Sequence, residues 1–186
     1  MSGGHGHVDG SNKKIALLVA ILAALLAVSE MGGKSSQTNS LASHIDASNL
    51  WSFFQSKTIR QTTLRTAAEE VEAAYKDGPS PMPPALKAQA DRWRQTAQRY
   101  DTEPETGEGR KELAARAKVK EAQRDRSLSA YHMFEYGSAC FQLAIVLAGA
   151  AALTSVIWLT FLSVGLGAVG FAFTVLAFVA PTLIHL

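Results

Sequence analysis

The sequence predicts an all-α integral membrane protein with three transmembrane helices and a long extramembrane antiparallel helical hairpin between the first and second spans. Three observations carry this. The last fifty residues, 137–186, contain no Asp, Glu, Lys or Arg. A spanning helix needs about 20 apolar residues, so this run supplies two spans with a turn between them. A second apolar run fills residues 15–31. Between the two, residues 32–137 place apolar side chains three and four apart within dense charge, the period of amphipathic helices.

Charge is sharply segregated. Of the 18 basic and 16 acidic side chains, only Asp9, Lys13, Lys14 and Glu30 lie outside the stretch from Lys34 to Glu135. That stretch is close to neutral and has no basic patch, so nucleic-acid binding is not expected. Cys140 is the single cysteine. It excludes an internal disulfide and reads as a buried, inert thiol at the start of an apolar run.

Residues 1–14 form a flexible Gly/Ser/His tail. Its His5-Gly6-His7 element lacks a third metal ligand, and no metal or other cofactor is expected. Residues 15–31, about 25 Å long as a helix, form the first span. A basic stretch before an apolar one also suits a signal peptide, but the segment reads as an anchor. Ala16, Ala20, Ala23, Ala24 and Ala27 make a stripe of small residues of the kind that permits close helix packing in lipid. Glu30 falls at the helix end, within reach of headgroups or water. Gly32-Gly33 is expected to loosen the helix before a second one at about 41–76.

That second helix carries Ala47, Leu50, Phe54, Lys57, Gln61, Leu64, Ala68, Val71 and Tyr75 at alternating spacings of three and four, a coiled-coil seam. Lys57 and Gln61 interrupt it, and polar seam residues fix register at some cost in stability. Four prolines in residues 79–84 end the helix, and Pro84 suits the first turn of a short one at about 85–100. Leu86, Trp93 and Tyr100 repeat along it at heptad spacing. Thr102 and Glu105 in the acidic loop have the spacing of a capping box.

From Arg110 the pattern is helical without a break into the charge-free run, giving one helix of about 45 to 50 residues. Residues 110–137 form the second arm of the hairpin and 138–160 the second span. Its seam reads Ala115, Val119, Ala122, Arg126, Ser129, Met133, Tyr136, Cys140, Leu143 and Leu147. Tyr131, Phe134 and Tyr136 suit an interfacial aromatic belt. Trp158 stands near a turn expected at 159–164, and Gly165, Gly167 and Gly170 open a third span at 164–185. Lys13 and Lys14 flank the first span and favour a cytoplasmic N-terminus with the hairpin on the periplasmic side. The basic cluster from Arg116 to Arg126 argues the other way but stands well above the membrane on a continuous helix.

Trp51-Ser52-Phe53-Phe54-Gln55-Ser56-Lys57-Thr58-Ile59-Arg60-Gln61 resembles the W-x-[FY]-[FY]-Q-[AS]-K-x-[IL]-R-Q signature of a bacterial membrane family catalogued as domain of unknown function 4337. Phe141-Gln142-Leu143-Ala144-Ile145-Val146-Leu147-Ala148, Trp158, Gly165 and Gly170 extend the similarity. The resemblance implies three spans and a helical insert in a bacterial inner membrane. It implies no activity.

The candidate interaction residues are Trp51, Phe54, Gln55, Lys57, Arg60, Gln61 and Gln142. Lys57 and Gln61 share the seam row at i,i+4, and Trp51 with Gln55, and Phe53 with Lys57, are also i,i+4 pairs, which stacks aromatics beside long polar side chains. Lys57 and Arg60 could clamp a lipid phosphate or a partner carboxylate. Alternatively, Lys57, Arg60 and Gln61 pair with Glu112, Glu121 or a symmetry mate inside a coiled coil. Gln142 is expected to bond across helices. His44 and His132 are isolated, and no nucleophile and base stand at catalytic spacing, so an enzyme is not expected. The expected function is a membrane-anchored helical scaffold or accessory subunit. It would self-associate or dock on a larger membrane protein complex, with membrane lipid around it. An oligomeric channel or transporter component, motivated by Gln142, Thr154, Ser155 and the third-span glycines, is the alternative.

Overall fold

The computed structural model describes residues 10–76, 78 and 80–183. The His5-Gly6-His7 element lies outside them. The secondary structure among the described residues is four helices: α1 Gly10–Lys76, α2 Pro84–Asp101, α3 Arg110–Thr154 and α4 Ile157–Val179. Three of these, α1, α3 and α4, are long and apolar enough to cross a membrane. The contacts divide the chain into two compact units. One gathers the described residues up to Leu41 with those from Arg124 onward, and the other comprises Ala42–Gln123.

The first unit corrects three expectations. Gly32-Gly33 does not loosen the helix, because α1 is a single helix of 67 residues. The glycines instead receive an aromatic ring: a Cβ on Gly32 would lie 2.6 Å from ring carbons of Phe134. Two mid-helix glycines weaken a helix by roughly 1 kcal/mol each, and the Phe134 ring, only 2% exposed, covers the backbone they open. The turn expected at 159–164 occurs earlier, at Ser155 and Val156. Ser155 adopts a left-handed φ of 58° and its N–H returns to the carbonyl of Ala151 at 2.9 Å, closing α3. The glycines expected to open the third span therefore lie within α4.

The third correction concerns the inward face of α3. Of the expected seam, Met133 is buried, but Leu143 and Tyr136 are 57% and 42% exposed, whereas Ala130, Phe134, Phe141, Ala144, Ala148 and Ala151 are buried. The true row lies one residue later, a rotation of about 100° on a helix of 3.6 residues per turn. Small side chains define it because backbones come close there. A Cβ on Gly170 would lie 2.9 Å from the carbonyl of Gly137, and one on Gly167 would lie 2.7 Å from Leu22. Leu22, Phe141 and Ala144 form one buried cluster with Leu18, Leu25 and Leu26 packed on it. Ala130, Met133, Phe134 and Ala177 form another. The alanine stripe of α1, Ala16 to Ala27, faces outward. Leucines rather than alanines fill the α1 side, because α3 and α4 provide the small partners.

Three buried hydroxyls in this unit are tied down. The hydroxyl of Ser29 donates to the carbonyl of Phe134 at 2.9 Å, Thr174 donates to the carbonyl of Gly170 at 2.9 Å, and Ser163 donates to that of Ala144 at 2.7 Å. Among the described residues no buried side-chain nitrogen or oxygen lacks a partner.

In the second unit α1 turns the expected seam inward: Ala47, Lys57, Gln61 and Ala68 are buried, and Leu50, Phe54, Leu64, Val71 and Tyr75 are half-buried. Ala90 and Ala97 of α2 and Leu113 and Ala117 of α3 are each at most 1% exposed and complete this core. Pro84 occupies the first turn of α2, where a missing N–H costs nothing. The expected capping box at Thr102 does not form; Thr102 is the C-cap of α2. The following loop turns at Gly107, with φ 68°, where glycine carries no steric penalty.

Candidate functional site

Two turns of α1 in the second unit hold most of the chemistry the sequence singled out. Helical spacing puts Trp51, Phe54, Lys57, Thr58 and Gln61 on the buried side and Gln55 and Arg60 on the exposed side. The structure thus divides the motif. Its inner residues converge on α2, the loop after it and the start of α3.

Lys57 is 5% exposed. A buried ammonium needs a counter-charge and hydrogen bonds. Its Nζ donates to Glu103 Oε2 at 3.2 Å and lies 3.8 Å from Glu108. The rings of Phe53 and Tyr100 flank it, with centroids at 5.3 and 5.7 Å. These are cation–π distances. The hydrogen bond from Lys57 holds the Glu103 carboxyl below the usual range, and the charges of Lys57 and Arg99 add to the effect.

Arg110, the first residue of α3, is the second anchor. Its Nε donates to Thr58 at 2.9 Å, its Nη1 donates to Gln61 Oε1 and to Asp101 at 3.2 Å, and its guanidinium lies 5.0 Å from the Phe54 ring centroid. Gln61, 2% exposed, uses its amide nitrogen on the carbonyl of Ala97 at 3.0 Å. Ala97 itself is buried at this contact, 1% exposed. Asp101 also receives Lys111 at 3.1 Å. That hydrogen bond holds the Asp101 carboxyl below its usual range, with the charges of Lys111 and Arg110 assisting.

Trp51 donates its indole N–H to Glu121 of α3 at 2.9 Å and meets the Phe54 ring edge-on at 5.4 Å. The pairings expected from sequence are therefore redistributed. Glu121 serves Trp51, and Glu112 accepts the backbone N–H of Glu103 at 3.3 Å. Lys57 uses the loop acids instead. Arg60 is exposed and forms no ion pair among the described residues. Lys57 and Arg60 do not form a joint anion clamp, because Glu103 already neutralises Lys57. Gln142 belongs to the first unit, where its amide donates to Glu30 of α1 at 3.4 Å.

Sequence reasoning missed Thr58, Tyr100, Glu103 and Arg110. Thr58 sits at i+4 from Phe54 and was within reach of a spacing argument. Glu103 and Arg110 flank an irregular loop whose path no periodicity records. Chemically, the cluster is a set of mutually neutralised charges that fastens α2 and its loop to α1 and α3. Among the described residues no group of three or more His, Cys, Asp or Glu could hold a metal ion.

No curated protein and no solved structure matches this chain. A family model described as domain of unknown function (DUF4337) does match, over residues 11–180. It takes in all four helices and every side chain of the cluster, so the chain belongs to the DUF4337 family.

Proposed function

We propose that this chain is a membrane-anchored helical scaffold or accessory subunit, without catalysis, that self-associates or docks on a larger membrane protein complex. The start of α1, the end of α3, and α4 are its three spans in a bacterial inner membrane. The N-terminus is cytoplasmic, and the 42–123 segment is an antiparallel hairpin on the periplasmic side. One observation carries the reading: the charged cluster around Lys57 and Arg110 is closed on itself. Its cations are matched by Glu103, Glu108 and Asp101, which suits a part that must hold its shape. Gln55, Ile59 and Arg60 stay exposed on the other side of the same turns, with Ile59 at 67%, and are the contact offered to a partner.

A channel is less well supported. Thr154 returns its hydroxyl to the carbonyl of Ala150, and Gly167 and Gly170 serve helix packing. Extraction in mild detergent followed by mass measurement tests the proposal. The expected result is a particle heavier than one chain with its detergent; a stable monomer free of partners defeats it.

A further inference from the structure

Within the first unit, α1 and α3 flank an open cleft of about 370 Å³. This lies within the size range of small-ligand sites, roughly 300–1,000 Å³. Two helical rows face each other across it: Glu30, Lys34 and Gln37 from α1, and Tyr131, Glu135 and Ser138 from α3. Each row runs i, i+4, i+7, so each places three consecutive turns along one wall. The floor is Phe134, whose ring presses on Gly32 and whose Cβ meets Gly33. That floor is rigid, since Phe134 also packs edge-on to Phe178 at 4.9 Å.

The charges in this cleft are poorly matched to one another. Glu30 and Lys34 are i,i+4 neighbours, yet neither forms an ion pair among the described residues. Glu30 receives only the Gln142 amide, at 3.4 Å. Glu135 meets the Tyr131 hydroxyl at 3.4 Å and His132 Nδ1 at 3.7 Å. These distances lie beyond the common range for good hydrogen bonds. The cluster at Lys57 shows the contrast, with its charges paired at close range. The cleft also has a particular place in the sequence. Glu30 is the only charge between Lys14 and Lys34, and Glu135 is the last before the charge-free run. Both acids therefore mark the edge of an apolar stretch, one on each helix.

We infer that this cleft binds a phosphoammonium zwitterion, the headgroup chemistry of phosphatidylethanolamine. The primary ammonium sits between the Glu30 and Glu135 carboxylates beside the Tyr131 ring, and the phosphate sits on Lys34 with Gln37 and Ser138 as donors. Two carboxylates against one lysine disfavour an anionic headgroup. They also favour a primary ammonium, with three N–H donors, over a quaternary one that has none. The inference rests on the membrane reading, which places the ends of both apolar stretches among headgroups.

The test uses the full chain incubated with vesicles of equal parts phosphatidylethanolamine, phosphatidylcholine and phosphatidylglycerol, then floated and analysed by native mass spectrometry. Phosphatidylethanolamine should be retained roughly tenfold over the other two, as charge-assisted hydrogen bonds would give. The Glu30→Gln/Glu135→Gln pair should abolish the preference while helicity by circular dichroism is unchanged. Retention of the three lipids in equal amounts, or a preference that survives the double substitution, overturns the inference. Soluble glycerophosphoethanolamine distinguishes the source. If it displaces the lipid at millimolar concentration through the same carboxylates, the chemistry stands and a free ester is also a ligand; if it does not, the membrane lipid is the ligand. A chain that fails to float overturns the membrane reading and this inference with it, whereas a floating chain without lipid preference overturns this inference alone.

Discussion

Replacing Arg110 by alanine is the sharpest probe of the polar cluster. The loss separates into parts with different magnitudes. Gln61 is 2% exposed and would lose the donor to its Oε1, and a buried acceptor left without a partner costs about 1–3 kcal/mol. The guanidinium over Phe54 contributes about 0.5–1 kcal/mol. The pair with Asp101, whose side chain is 34% exposed, adds under about 1 kcal/mol because solvent screens it. Together these give about 1.5–5 kcal/mol, or roughly a 10- to 4,000-fold change in an opening equilibrium. The change should be local to the second unit. Hydrogen exchange of the full chain in detergent reads it directly: amides of α2 should exchange faster by that factor, while those of α4 should not change. Arg110→Lys keeps the charge but loses the planar fork, so it should recover only part of the protection. If α2 amides in Arg110→Ala exchange within threefold of the unsubstituted chain, Arg110 does not hold α2 and the account of the cluster is wrong.

Two further perturbations follow from the same geometry. Asp101 and Glu103 both have carboxyls held below their usual values, so the unfolded state binds their protons first. Their contribution to stability is fully present above the ordinary carboxylate range, near pH 4, and is lost as pH falls through the lowered folded values. Protease sensitivity of the α2–α3 loop should therefore rise on acidification below about pH 4, with a shallower pH dependence in Glu103→Gln; an unchanged profile in that variant refutes the assignment. In the first unit, Gly170→Leu must push the carbonyl of Gly137 away, since even a Cβ there would approach within 2.9 Å. Overpacking of this kind costs about 1–3 kcal/mol. Gly149→Leu enters open space and removes a mid-helix glycine, so it should not lower the thermal midpoint in detergent; a Gly170→Leu midpoint no lower than that of Gly149→Leu would contradict the α3–α4 packing.

Much of this protein was legible from its residues alone. The helical class, the three apolar stretches, the Pro84 start of α2 and the unbroken passage from Arg110 follow from period, composition and backbone chemistry, all local properties. So does the row from Ala47 to Tyr75, because in the second unit the buried face is also the more apolar one. The inward face of α3 from Ala130 to Ala151 could not be read the same way. There Leu143 and Val146 point outward, while Ala130, Ala144, Ala148 and Ala151 turn in beside Met133, Phe134 and Phe141. Residue size and hydropathy do not separate those two faces. The same reasoning explains Gly32-Gly33, which by itself signals a weak helix and becomes a seat for Phe134 only when α3 is packed against it. The Ser155 turn carries neither glycine nor proline to mark it. Partner choice around Lys57 and Arg110 was decided last of all. Sequence spacing restricts which residues share a face, but Glu103 and Arg110 reach the motif across an irregular loop. Only the folded path of that loop shows which charge meets which.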